Sequence, residues 1–90
     1  MIGRIVEIAA DGRYLHVLRG FLIVESKGEE VGRIALDDIA AVIANAHGLI
    51  YSNNLLVALA ELEVSFVLCG NNHKPVGILW RLEGQRRQAA

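Results

Sequence analysis

The side chains able to do chemistry are few in this chain, and they are scattered. Asp37 and Asp38 stand side by side. Neighbours on an extended segment point to opposite faces, so the two carboxylates do not converge on a metal or a proton. Asp bonds its own local backbone well, and the pair reads as turn punctuation. Cys69 and His73, with His47 or His16, are the soft ligand types present. A closed zinc site takes four ligands, often from paired Cys and His motifs. One cysteine and three histidines at irregular spacing do not supply that pattern. Cys69 ends an apolar run and reads as packed rather than nucleophilic. Neither G-x-G-x-x-G nor G-x-x-x-x-G-K-[ST] occurs, so no glycine-rich loop is expected to cradle phosphate. Asn53 and Asn54 sit where a helix should begin and read as helix-entry residues. The expectation is therefore no catalytic residue, no metal ligand and no cofactor in this chain.

One group remains. Arg13 and Tyr14 follow a turn, His16 lies two residues on, and Arg19 ends the next run. Basic and aromatic groups together can hold a nucleic-acid backbone and stack a base. Arg13, Tyr14, His16 and Arg19 are the candidate DNA contacts. Phe21, Ile23 and Trp80 are the candidate interface residues, because buried aromatic and aliphatic anchors dominate interfaces.

The elements that must position them follow from periodicity and turn signals. Ile2 to Ile8 reads as a strand. Ala10-Asp11-Gly12-Arg13 carries Asp-Gly, the strongest hairpin signal in the chain. Tyr14 to Leu18 is the return strand, with Tyr14, His16 and Leu18 on one face and Leu15 and Val17 on the other. Arg19-Gly20 reverses the chain into Phe21 to Glu25, and Ser26 to Glu30 turns it into Val31 to Ala35, with Gly32 as a bulge signal. Ile39 to Ile43 is wholly apolar and suits a buried strand. Ser52 suits the N-cap of a helix over about Asn53 to Leu62. The helix lacks its terminal glycine; Glu63 stands where one would fit. Val64 to Cys69 and Gly77 to Trp80 are two last strands around a loop from Gly70 to Pro75. The fold class expected is α+β, mostly β: antiparallel strands in two small packed sheets with one main helix, a β-meander followed by strand-helix-strand-strand.

Ninety residues make one domain. Hydrophobic residues are 53% of the chain and charged ones 21%. A fold this small buries only about 60–65% of its unfolded surface, so apolar surface is expected outside, where it marks interfaces. The net charge of −1 gives no global basic field to attract nucleic acid. One cysteine forms no internal disulfide and suits a reducing compartment. Ile39 to Ala60 is uncharged and long enough to cross a bilayer. Its amides and Gly48 argue for a strand, a turn and a helix, so no membrane is expected.

The run Leu36-Asp37-Asp38-Ile39-Ala40-Ala41-Val42-Ile43, then Gly48-Leu49-Ile50-Tyr51-Ser52-Asn53-Asn54-Leu55-Leu56, resembles one family. So do Ala58-Leu59-Ala60-Glu61, Val64 to Leu68 and Cys69-Gly70, together with Arg4 to Ile8 and Gly20 to Val24. In order and spacing they resemble the amino-terminal domain of the CRISPR-associated spacer-acquisition integrase, in its type II-like form. The resemblance implies a β-rich amino-terminal dimerisation domain over 1–80. Residues 81–90 would start a linker toward a helical catalytic domain absent from this chain. It implies a homodimer that joins a small CRISPR-associated partner protein and double-stranded DNA during antiviral defence in the prokaryotic cytoplasm. The parent would be a metal-dependent endonuclease and integrase, with Mg or Mn held in the absent domain and no enzyme activity in this chain. The resemblance also implies that the Asp11 to His16 region lies near the end of captured DNA. The other reading, from composition and pattern alone, is a stand-alone oligomeric β scaffold that binds a peptide or regulatory protein through a sheet edge.

Overall fold

The computed structural model describes residues 3–82. Its strands are β1 (Arg4–Ile8), β2 (Tyr14–Leu18), β3 (Phe21–Ser26), β4 (Glu29–Ala35), β5 (Ile39–Ala44), β6 (Ile50–Tyr51), β7 (Ser65–Cys69) and β8 (Pro75–Leu79), with one helix, α1 (Asn53–Glu61). A 3-10 turn over Leu36–Asp38 joins β4 to β5 and accounts for Asp37 and Asp38. The first sheet runs β1-β5-β7-β8 and the second β4-β3-β2-β6.

The expected class stands: mostly β, two small sheets and one helix. The pairing inside it is corrected. β1 does not lie beside β2. It pairs parallel with β5, which pairs parallel with β7, and β6 pairs parallel with β2. The meander is β2-β3-β4 only. Asp11-Gly12 therefore makes no hairpin; it carries the chain from one sheet to the other. There Gly12 donates its N–H to the carbonyl of His47 and Asp11 Oδ1 accepts from the His47 N–H. A longer loop joins the antiparallel pair β7–β8, and two-residue hairpins turn at Arg19-Gly20 and Lys27-Gly28. Each has both residues at positive φ, 53° and 82° in the first, 54° and 83° in the second. Two successive positive φ angles match the right-handed twist of the flanking strands. Gly32 flags a real irregularity. Val24 pairs with Gly32 and Glu25 with Glu30, so Val31 is the extra residue of a bulge.

The sheets close on a core of Leu15, Leu22, Val42, Leu55, Leu59 and Phe66, each with less than 2% of its surface exposed. Leu55 and Leu59 are one turn apart on α1, so a single helix stripe seals the sheets. Ser52 Oγ accepts from the Leu55 N–H at 3.1 Å, the N-cap that the sequence suggests. At the other end Val64 N donates to Leu59 O at 2.9 Å and Glu63 N to Ala60 O at 3.0 Å. That is a Schellman closure, and it holds Glu63 at φ 61°. The position that suits glycine is thus left-handed, and a glutamate occupies it. Gly3 is required by a close approach. A Cβ there would lie 2.7 Å from the Ala40 nitrogen and 2.9 Å from the Ile39 carbonyl carbon.

Candidate functional site

The pleat sorts the candidates. Across the second sheet Tyr14 pairs with Glu25, His16 with Ile23 and Leu18 with Phe21, while Ile23 pairs with Arg33. Directly paired residues share a face. Leu15 and Leu22 occupy the core face, so Tyr14, His16, Phe21, Ile23 and Arg33 lie on the outer one. Arg13 and Arg19 flank it at the two ends of β2. Six of the seven sequence candidates thus come together; Trp80 lies beyond the end of β8 on the first sheet.

Interactions within the face consume much of its charge. His16 Nε2 meets Glu25 Oε2 at 2.6 Å, and the imidazole stacks on Tyr14 with ring centroids 5.1 Å apart. Arg33 grips Glu30 with two hydrogen bonds, 2.7 and 2.9 Å, and lies 5.2 Å above the Phe21 ring. The hydrogen bonds from Arg33 hold the Glu30 carboxyl below its ordinary range, and Glu30 raises the guanidinium in turn. Arg13 donates to Ser26 Oγ and the Asp11 carbonyl. Arg19 is exposed and makes no side-chain hydrogen bond among the described residues. Arg19 and Arg13 are therefore the cations with most to offer a phosphate. Glu25, Glu30 and Arg33 are the members of this face that sequence reasoning missed. Their signal was the period of two along β3 and β4, visible only once the bulge at Val31 is known.

Two of the expected interface residues have less free surface than Trp80. Ile23 is 2% exposed under this layer of ion pairs and has no surface to give a partner. Phe21 is half-buried beneath Arg33. Trp80, 73% exposed, keeps its surface. It lines an open groove of about 640 Å³ with Glu63, Ser65 and Leu82. Arg81 spans that groove to Glu63 at 2.8 Å. The expectation for the segment 81–90 lies, apart from Arg81 and Leu82, outside the described residues.

The other sequence candidates do not assemble into a centre. Asn53 and Asn54 are exposed on the first turn of α1, and Cys69 is a half-buried free thiol. Among the described residues no three His, Cys, Asp or Glu side chains converge as a metal cage. They do not fit the Mg or Mn site of an integrase. No helix is long and apolar enough to cross a membrane.

No family model and no curated protein matches this sequence. Solved structures do match its fold. A chain of a partial Cas6-RT-Cas1–Cas2 complex superposes over 90% of this chain with a TM-score of 0.79 at 17% identity. A Cas1 protein from Thermotoga maritima does so over 89% with 0.76 at 12%, and a casposase bound to integration product over 89% with 0.69 at 17%. This chain spans 24% to 26% of those chains. At such identities the likeness is one of fold, and the fold is Cas1-like.

Proposed function

We propose that this chain is the β-rich amino-terminal domain of a CRISPR spacer-acquisition integrase of the Cas1 kind, in its type II-like form. The observation that carries the reading is the fold shared over 89% to 90% of the chain with structures of Cas1 and casposase proteins. It joins a sequence resemblance that covers about Ile2 to Arg87. In this reading the domain dimerises and lies near the end of a captured duplex, with Arg13 and Arg19 on phosphate and Tyr14 and His16 alongside. The partners are a second copy, a small Cas2-like protein and double-stranded DNA. In this reading the cutting and joining chemistry, with its Mg or Mn, belongs to a further, helical domain.

Fold alone does not imply function, so the test is biochemical. The pure chain should be a dimer by light scattering at tens of micromolar, and it should leave DNA intact with Mg or Mn present. A monomer removes the dimerisation role, and robust metal-dependent cleavage by this chain overturns the assignment.

A further inference from the structure

The carboxyl ends of β1 and β5 and the β7–β8 loop meet at one corner of the first sheet. Three polar residues there form a connected set. Asn45 Nδ2 donates to Glu7 Oε2 at 2.8 Å, and His73 Nδ1 lies 2.7 Å from Asn45 Oδ1. An ionised carboxylate only accepts. Glu7 therefore fixes the Asn45 amide with its NH2 toward Glu7 and its oxygen toward His73. An amide oxygen also only accepts, so His73 must carry its proton on Nδ1. The Nε2 lone pair is left free when the ring is neutral, and Nε2 makes no hydrogen bond among the described residues. His73 itself sits at φ 65°, held in a tight turn by its N–H to the Gly70 carbonyl. A non-glycine residue in this region is worth a functional question.

His47 stands opposite. The two imidazoles are 5.5 Å apart between centroids and tilted by 65°. Two imidazoles on one tetrahedral ion, with metal–nitrogen bonds of about 2.0–2.1 Å, have centroids roughly 5 Å apart. The observed centroid spacing is close to that value. Asp11 Oδ1 lies 3.8 Å from His47 Nδ1 and puts one carboxylate beside the pair. Lys74 is the neighbouring cation on the loop.

We propose that His47 and His73 bind one divalent ion of the borderline class, Zn2+, Ni2+ or Cu2+, with Asp11 beside it. Glu7–Asn45 is the outer relay that holds His73 in the ligating tautomer. A carboxylate, backbone carbonyl or water on the far imidazole nitrogen is the usual support of a metal-binding histidine, and the Asn45 carbonyl oxygen takes that place here. Two imidazoles leave the rest of a four-coordinate shell to water, so such a site is open. Soft imidazole pairs favour these ions over Mg2+, which demands oxygen ligands. The proposal stands apart from the integrase reading, and neither result decides the other.

The experiment is calorimetric titration of the full chain with Zn2+ and with Mg2+, alongside nitrogen-15 imidazole spectra. The expected result is saturable one-to-one Zn2+ binding, no Mg2+ binding, and His73 in the Nδ1–H form before metal is added. His47→Ala and His73→Asn each remove most of the Zn2+ affinity; asparagine keeps the left-handed turn. Asn45→Ala lowers it by about tenfold. A dissociation constant of about 1 mM or weaker overturns the site. So does affinity unchanged in His47→Ala and His73→Asn variants that keep the native circular dichroism spectrum. An Nε2–H tautomer overturns the relay.

Discussion

Glu63→Gly should stabilise this protein, although it removes an ion pair and adds a flexible residue. Glu63 is held at φ 61° by two backbone hydrogen bonds, to Leu59 and Ala60 through its neighbour and itself. Val64 and Leu59, the apolar partners of that closure, are both buried, so the backbone cannot relax away. An L-residue with a Cβ costs about 1–2 kcal/mol in the left-handed region. Glycine gives back roughly 0.4–1 kcal/mol through its freer unfolded chain. The Arg81 pair, with both side chains more than half exposed, contributes only about 0.2–0.5 kcal/mol. The net gain is about 0.5 kcal/mol. The sharper comparison is with Glu63→Ala, which loses the pair and keeps the strain. Glycine should be more stable than alanine by about 1 kcal/mol, or roughly 4–8 °C in Tm for a chain of this size. Urea melts of the three proteins measure it. Alanine at or above glycine would refute the strain argument, because ordinary helix propensity favours alanine.

Other outcomes follow from the same geometry. Ser52→Ala leaves the Leu55 N–H without its cap and should cost about 1 kcal/mol, while Ser52→Thr should restore most of it in the same melts. Burial raises the Tyr51 hydroxyl above its ordinary value of 10.0, and the ring meets Phe66 edge-on at 5.0 Å. A raised acid is more protonated when folded. Its contribution is full below the unfolded value and is lost as pH rises through the folded one. Alkaline unfolding should therefore move to higher pH in Tyr51→Phe, and an unmoved alkaline limb refutes the attribution. In a protein that binds duplex ends, Arg13→Ala and Arg19→Ala should each weaken binding and flatten its salt dependence. Unchanged binding in both removes this face from the DNA contact.

The strands and the helix were legible because their signals are local. Ser52 before an apolar stripe, X-Gly at two hairpins and alternation in β2 each report a short-range constraint. Glu63 was legible too: an absent glycine at a helix end is a local oddity, and the chain does adopt the glycine conformation there. Strand order was not legible. Asp11-Gly12 has ideal hairpin chemistry, yet its flanking strands go to different sheets. What overrides the turn is β5. Ile39 to Ala44 is apolar on both faces, as strands central to a parallel sheet usually are. It sits between β1 and β7 in that way. β6, two residues long, gave no periodic signal at all. The polar set at the β1, β5 and β7–β8 corner was missed for the same reason, since Glu7, Asn45 and His73 meet only through that parallel order.

The two outer faces of the fold explain where the apolar surplus goes. The second sheet shields the outer aliphatic Ile23 with side chains of its own, His16–Glu25 and Arg33–Glu30, and leaves Leu18 half exposed at its end. Among the described residues the first sheet has no such layer of ion pairs. Ile5 is 69% exposed and Val76 71%, and Ile78 shares the outer side with Val67 by their pairing. Parallel strands normally carry cover on both faces, and here α1 and the second sheet cover only one. Trp80, the most exposed of the expected interface residues, directly follows the edge strand β8 of that sheet. A homodimer of the proposed kind should then respond to Ile78→Lys by dissociating in light scattering, while Phe21→Lys leaves it intact. The reverse pattern would place the contact on the ion-paired sheet and leave the exposed aliphatics of the first sheet without a role in it.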